Sequence, residues 1–224
     1  MTDLSPNVPD AVPVPLALLD KALTIQSPLI ERHIARIRRN RPDASPAQVT
    51  KRLNAELRAA TISAGAGVGA AAAAPGVGTA AALALSGGEA IGFLNATALY
   101  VLSRAEVHGI PLRDIERRRT LVMAVMLGEA GTKSVQQVAE RTGQHWARQL
   151  VKSVPSAKIR AVNKVLGHNF VTRYGTRQGV IVLGRVIPFG IGAAIGGAAN
   201  AAFGQGIIKA ADRAFGPAPE KWTE

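Results

Sequence analysis

Apolar residues recur every three or four positions along most of the chain, and this spacing predicts helices with no pair of strands among them. A first helix starts at Ser27-Pro28, where a proline at the first helical position follows an N-cap serine. It places Ile30, Ile34 and Ile37 on one face and Arg32, Arg36 and Arg39 on the other, with Arg38 beside them. Pro42 stops it. Ser45-Pro46-Ala47-Gln48 is a capping box that opens a second helix through Val49, Leu53 and Leu57. Pro75-Gly76 marks a turn, and a third helix resumes near Thr79 and runs through Ile91, Phe93, Leu94, Leu99 and Leu102 to about Val107, completing a helical hairpin.

His108-Gly109-Ile110-Pro111 reads as a stop followed by a new start. Leu112 to Leu127 predicts a helix with Arg113, Arg117 and Arg118 outside and Leu112, Ile115, Val122 and Met126 inside. Gly128 to Gly131 breaks it, and Lys133 to Val151 predicts one amphipathic helix using Val135, Val138, Trp146 and Leu150. Ala157 to Leu166 is short and basic, and Tyr174-Gly175 reads as a loop. Val180 to Ile187 is β-branched, but with no partner strand it is assigned to helix. Pro188-Phe189-Gly190 leads into a last helix that Gly216-Pro217 ends. The expected fold is an all-α, single-domain bundle of about eight helices over residues 16–215, between a disordered Pro-rich tail (1–15) and a flexible C-terminal tail (216–224).

Two stretches carry no charge at all: the 30 residues Ala59 to Gly88, and Val186 to Ile208. Each is long enough for a hydrocarbon core of about 30 Å. The first has only Ile62, Val68, Val77, Leu83 and Leu85 as large apolar residues, which together favour insertion by roughly 2 kcal/mol, a marginal amount. Small residues at helical spacing have a second use, close approach of two helices. Gly192/Gly196/Asn200, Ala193/Gly197/Ala201 and Gly65/Gly69 are small-xxx-small series. The two stretches are therefore expected to pack in the core on each other, or on a second copy of the chain as a homo-oligomer.

Net charge is +12 and the isoelectric point about 11.0, so anionic lipid headgroups or nucleic acid are the expected partners. The arginines are spread over several helices with no aromatic interleaving and no nucleic-acid-binding signature, which favours lipid. The basic face of the first helix fits either a solvated outer surface or a helix lying on anionic headgroups. The absence of cysteine removes disulfides and thiolate sites. The start, MTDLSPNVPD, has no basic region leading into an apolar one, and a cytoplasmic location, peripheral or reversibly inserted at the inner membrane, follows as the default expectation.

Little catalytic chemistry is legible. Gly67-Val68-Gly69-Ala70-Ala71-Ala72 has dinucleotide-fingerprint spacing but follows a helix where a strand is required. Gly131-Thr132-Lys133-Ser134 lacks the first glycine of a P-loop, Met126 standing there instead. His33, His108, His145 and His168 are scattered, without a second ligand at helical spacing. No catalytic residue, cofactor or metal site is assigned. Three polar residues lie in or beside the apolar runs: Glu89, Asn95 and Asn200. Three roles are open to Glu89: an exposed residue at a kink beside Gly87-Gly88, the buried partner of Arg185, or an acid in an unrecognised site.

The central Ala/Gly run, the helix ending in Ala105-Glu106-Val107-His108-Gly109, and Ile110-Pro111-Leu112 with Arg117-Arg118-Arg119 opening the next helix resemble the EcsC-like family of bacterial proteins. The segment Leu183 to Asn200, LGRVIPFGIGAAIGGAAN, resembles that family's Pro- and Gly-rich closing helix. The resemblance spans roughly residues 45 to 215, with Glu89 where many members carry an aspartate. It implies an α-helical, membrane-associated protein and transfers no catalytic residue. Residues and resemblance together lead to the expectation of an amphitropic helical protein that meets anionic lipid through Arg32, Arg36, Arg38, Arg39, Arg113, Arg117 and Arg118. The alternatives are an enzyme or a carrier of lipid or another apolar ligand, with a cavity between the two Ala/Gly runs, and a basic nucleic-acid-binding protein.

Overall fold

The computed structural model describes residues 14–73, 78–139, 145–185 and 191–222, with side chains described for 16–24, 28–63, 91–137, 145–172, 198 and 200–222. Eight α-helices and no strand are present among the described residues: α1 (Val14–Asn40), α2 (Pro46–Ala73), α3 (Gly78–Val107), α4 (Ile115–Leu127), α5 (Glu129–Ala139), α6 (Ala147–Lys152), α7 (Ser156–Arg185) and α8 (Ile191–Phe215). The all-α bundle expected from the sequence is thus observed.

Local signals set several of the boundaries. Ser45 N–H donates to Gln48 Oε1 at 2.9 Å and Gln48 N–H to Ser45 Oγ at 3.3 Å, the reciprocal bonds of a capping box. At the end of α3 the Gly109 N–H reaches Glu106 O and the Ile110 N–H reaches Ala105 O, a Schellman closure that needs the positive φ of 60° at Gly109. Asp114 caps α4 by accepting from the Glu116 N–H at 2.9 Å. Gly216 ends α8 at φ 77°, donating to Asp212 O at 2.9 Å.

Three expectations are corrected. Helix α1 starts at Val14 and runs through Pro28. An interior proline costs about 3 kcal/mol, but Leu19 and Leu23 are fully buried, extending the isoleucine stripe upstream. Two buried leucines contribute about 3–6 kcal/mol and outweigh that cost. Helix α7 passes through Tyr174-Gly175 without a loop, since one interior glycine costs only about 1 kcal/mol against alanine. The single helix expected over 133–151 is divided into α5 and α6, with His145 between them at φ 67°.

Helix α4 is the centre of the bundle. Every residue from Thr120 to Leu127 is buried, so this stretch is enclosed all round and not amphipathic as expected. Its first turn is tied down by its own arginines. Arg117 donates to Leu150 O (2.6 Å) and Val154 O (2.8 Å) around the C-terminus of α6, where a cation also meets the negative end of the helix dipole. Arg118 bonds Leu112 O, and Arg119 bridges Asp20 of α1 (2.8 Å) and Glu116 (2.9 Å). Behind them Asn163 of α7 donates to Glu116 Oε2 (2.7 Å) and accepts from Thr120 Oγ1 (2.7 Å), which satisfies this buried polar group.

Among the described residues, α2 and α8 make the most extensive contact of any helix pair. The two small-residue stretches therefore meet within one chain. At Gly204 a Cβ would sit 2.6 Å from Thr61 Oγ1, so only glycine fits under that buried threonine. Arg58 Nε donates to Gln205 Oε1 at 3.1 Å beside this crossing. The C-terminal segment, expected to be flexible, is pinned. Trp222 Nε1 donates to Ala44 O at 3.0 Å, and the Arg38 guanidinium lies 4.6 Å from the centre of the Trp222 ring.

Candidate functional site

The most concentrated polar chemistry gathers where α2, α3 and the C-terminal turns of α8 converge. Tyr100 and Arg104 of α3 and His108 just past its end follow one another every four residues, and the His108 N–H still reaches Arg104 O, so the three stack along one side. Arg104 is 1% exposed. Its Nη1 donates to Tyr100 Oη (2.9 Å), Asn54 Oδ1 (3.3 Å) and Asp212 Oδ1 (3.0 Å), and its Nη2 donates to the same Asp212 oxygen at 3.0 Å. The Tyr100 hydroxyl donates to Asn54 Oδ1 at 2.7 Å, which closes the ring of partners. Burial pushes the Tyr100 phenol up to about 12, against the opposing pull of the Arg104 charge, so it stays neutral.

His108 extends the cluster. Its ring stacks on Phe215 with centroids 5.2 Å apart, and the Arg104 guanidinium lies 5.7 Å from the same phenylalanine ring. Burial is the main reason its imidazole is held down to about 4, and the positive charges of Arg104 and Arg148 add to it, so His108 is neutral at pH 7. Arg148 Nη2 donates to the His108 carbonyl at 2.6 Å. His145 meets the same end of α8, its backbone N–H donating to Arg213 O at 3.3 Å. Its ring fills the space a Cβ would take at Gly216, 2.7 Å away.

A depression of about 330 Å³ opens beside this cluster, lined by Thr50, Lys51, Arg104, His145, Asp212 and Gly216, among others. Arg104 Nε and Thr50 Oγ1 are buried without a hydrogen-bond partner. The arrangement joins three helices through one buried cation and holds positive charge at the pocket wall. It presents no nucleophile paired with a base, and no group of three or more His, Asp or Glu placed for a metal ion occurs among the described residues.

A second cavity, of about 290 Å³, lies on the other side of α8. Val125 and Leu127 of α4, Phe170 of α7, and Phe203, Ile207 and Ala210 of α8 form its apolar wall. Lys209 and Arg213 stand among its lining residues one turn apart, and Glu129 at the start of α5 is also part of the lining. The C-terminal half of α8 therefore has a pocket on either side. The carrier alternative placed its cavity between the two Ala/Gly runs; this one lies between α4, α7 and α8.

The residues singled out from sequence divide sharply. Arg32, Arg36 and Arg39 are exposed on α1, as is Arg113 after α3, whereas Arg38 is also exposed but stacks on Trp222. Arg117 and Arg118, expected on the outer face, are half-buried and bonded to backbone carbonyls, so they are corrected to internal clamps. Asn200 is buried. The side chains of Glu89 and Arg185 and the positions Gly65, Gly69, Gly192, Gly196 and Gly197 lie outside the described side chains. Sequence reasoning missed Arg104, Asp212 and Gly204. Each had a signal: Arg104 is the only basic residue of α3, Asp212 is the only acid of α8, and Gly204 continues the four-residue step of Gly192, Gly196 and Asn200. Compared with family models, curated proteins and solved structures, the chain matches none.

Proposed function

We propose that the protein associates reversibly with anionic lipid surfaces, seating the outer face of α1 on the headgroups. The observation that carries this reading is the division of the arginines. Arg104, Arg117, Arg118, Arg119 and Arg148 are spent on acceptors inside the molecule. Arg32, Arg36 and Arg39 are exposed and have no ion-pair partner among the described residues. They share one strip of α1 with Leu29, an apolar side chain left 43% exposed. Spacings of three, seven and ten residues from Leu29 keep all four within one face. Cations around an exposed leucine suit the headgroup boundary, where each basic side chain contributes about 1 kcal/mol.

Two further facts support association over permanent spanning. No helix among the described residues is long and apolar enough to cross a membrane. Ile62, near the start of the uncharged stretch, and Ile91, just past Glu89 beyond its end, are both exposed and offer further apolar contacts. The likeness to EcsC-like proteins, and a location at the inner face of a bacterial membrane, belong to the same proposal. The test is co-sedimentation with vesicles of phosphatidylglycerol against vesicles of phosphatidylcholine. Binding to the anionic vesicles alone, weakening as salt rises from 0.05 to 0.5 M, is expected. Equal binding to both would remove the electrostatic basis. Salt-sensitive binding to duplex nucleic acid, with none to anionic vesicles, would replace lipid by nucleic acid.

A further inference from the structure

We infer that the cavity between α4, α7 and α8 is a binding site for a single acyl chain that ends in an anion, a free fatty acid in chemical class. The cavity surface is about equally polar and apolar: its only polar side chains are Glu129, Lys209 and Arg213, all exposed at its mouth, while Val125, Leu127, Phe170 and Ile207 are buried behind them and form an apolar floor. A volume of about 290 Å³ admits roughly ten methylene-sized groups if each takes about the 30 Å³ of a water in the liquid. One chain of medium length fits, and the two chains of a phospholipid do not.

The lining residues decide the headgroup. Lys209 and Arg213 are four residues apart on α8, so their side chains emerge on the same side, and neither has an ion-pair partner among the described residues. The carboxylate of Glu129 is already engaged by Lys133 at 2.8 Å, and that hydrogen bond holds it below the usual carboxylate range. Counting Lys209, Arg213 and Lys133 against Glu129 leaves a local charge of +2. Buried apolar side chains with the exposed cations Lys209 and Arg213 beside them, whose charge exceeds that of Glu129, are complementary to a carboxylate on a hydrocarbon tail and repel a cationic amphiphile. The site stands apart from the α1 surface, so the two readings fail separately.

Isothermal titration of the full chain with octanoate, decanoate and decyltrimethylammonium, each below its micellar concentration, tests the assignment. Saturable 1:1 binding of decanoate is expected. Each methylene added between octanoate and decanoate should tighten it about fourfold, equivalent to about 0.8 kcal/mol per CH₂. The cationic chain should bind at least tenfold more weakly, and Lys209→Gln with Arg213→Gln should erase that preference. Gly206→Leu supplies the plug. A Cβ at Gly206 meets nothing within 4 Å, so the side chain can turn into the cavity without a clash. This variant should melt no lower than the parent and lose decanoate binding, and Ala202→Leu provides an independent plug from the same wall. Binding to phosphatidylglycerol vesicles should be unchanged in both. Parental decanoate affinity in both plugged variants, equal affinity for the anionic and cationic chains, or no saturable decanoate binding would each overturn the inference.

Discussion

Replacing Asp212 with alanine strands the Arg104 guanidinium. That group is 1% exposed, and both of its terminal nitrogens lie 3.0 Å from one Asp212 oxygen. Leaving a buried charge without its counter-ion costs about 3–5 kcal/mol. The lower end applies because the Asp212 side chain is 54% exposed and water already screens the pair. Arg104→Met should cost far less, although it removes more hydrogen bonds. Asp212 returns to water, and Tyr100 and Asn54 keep their own 2.7 Å bond, so no buried charge remains and the loss is about 1–1.5 kcal/mol. The double variant should then resemble Arg104→Met alone, giving a coupling energy of about 2–3 kcal/mol. Urea denaturation at pH 7 measures the cycle. In thermal melts Asp212→Ala should fall by about 6–12 °C for a chain of this size. Asp212→Ala within 0.5 kcal/mol of the parent, or an additive cycle, would refute the claim that this carboxylate neutralises the buried cation.

Glycine position should matter more than glycine number. Gly204→Ala places a Cβ 2.6 Å from Thr61 Oγ1 and should destabilise by about 1–3 kcal/mol in chemical denaturation, whereas Gly206→Ala, two residues on, meets open space and should gain about 0.5–1 kcal/mol from helix propensity. His108 is held neutral in the folded state down to about pH 4, while in the unfolded chain it titrates near its ordinary value of 6.5. Its contribution is therefore fully present above pH 6.5 and lost as pH falls toward 4, by about 2–3 kcal/mol in all. His108→Phe, which can still stack on Phe215, should flatten that part of a urea-midpoint profile, and parallel profiles for parent and variant would refute the burial argument. Trp222→Ala should cost about 1–2 kcal/mol in thermal or urea unfolding, through the lost bond to Ala44 O and the Arg38 stack, whereas a free tail would show no change.

What was legible in the sequence was local. The Ser45/Gln48 box, the Gly109 closure and the Gly216 stop each depend on a few consecutive residues, and each appears where the chain announces it. Tertiary burial overrode local signals elsewhere. Pro28 read as a start, yet the buried Leu19 and Leu23 carry the helix through it. Arg117 and Arg118 read as an outer face because charge near a helix start is usually solvated, but here the carbonyls of Leu150, Val154 and Leu112 take them. The polar cluster was half visible. The four-residue step of Tyr100, Arg104 and His108 lies in the sequence, but Asp212 is 108 residues away from Arg104, and only the docking of α8 brings it there. The cavity between α4, α7 and α8 left no local trace, since three helices assemble it.

The proposed seating of the α1 face on lipid depends on that face and not on net charge alone. Two triple variants separate these. Arg32, Arg36 and Arg39 changed to glutamine, and Lys152, Arg160 and Lys164 changed likewise, each lower the net charge from +12 by three, to +9, at exposed positions on different helices. Affinity for phosphatidylglycerol vesicles at 0.1 M salt is the measurement. At about 1 kcal/mol per basic side chain, the α1 triple should lose about a hundredfold and the other triple much less. Equal losses in the two would contradict a specific α1 surface, and no loss in the α1 triple would contradict lipid seating on α1 altogether.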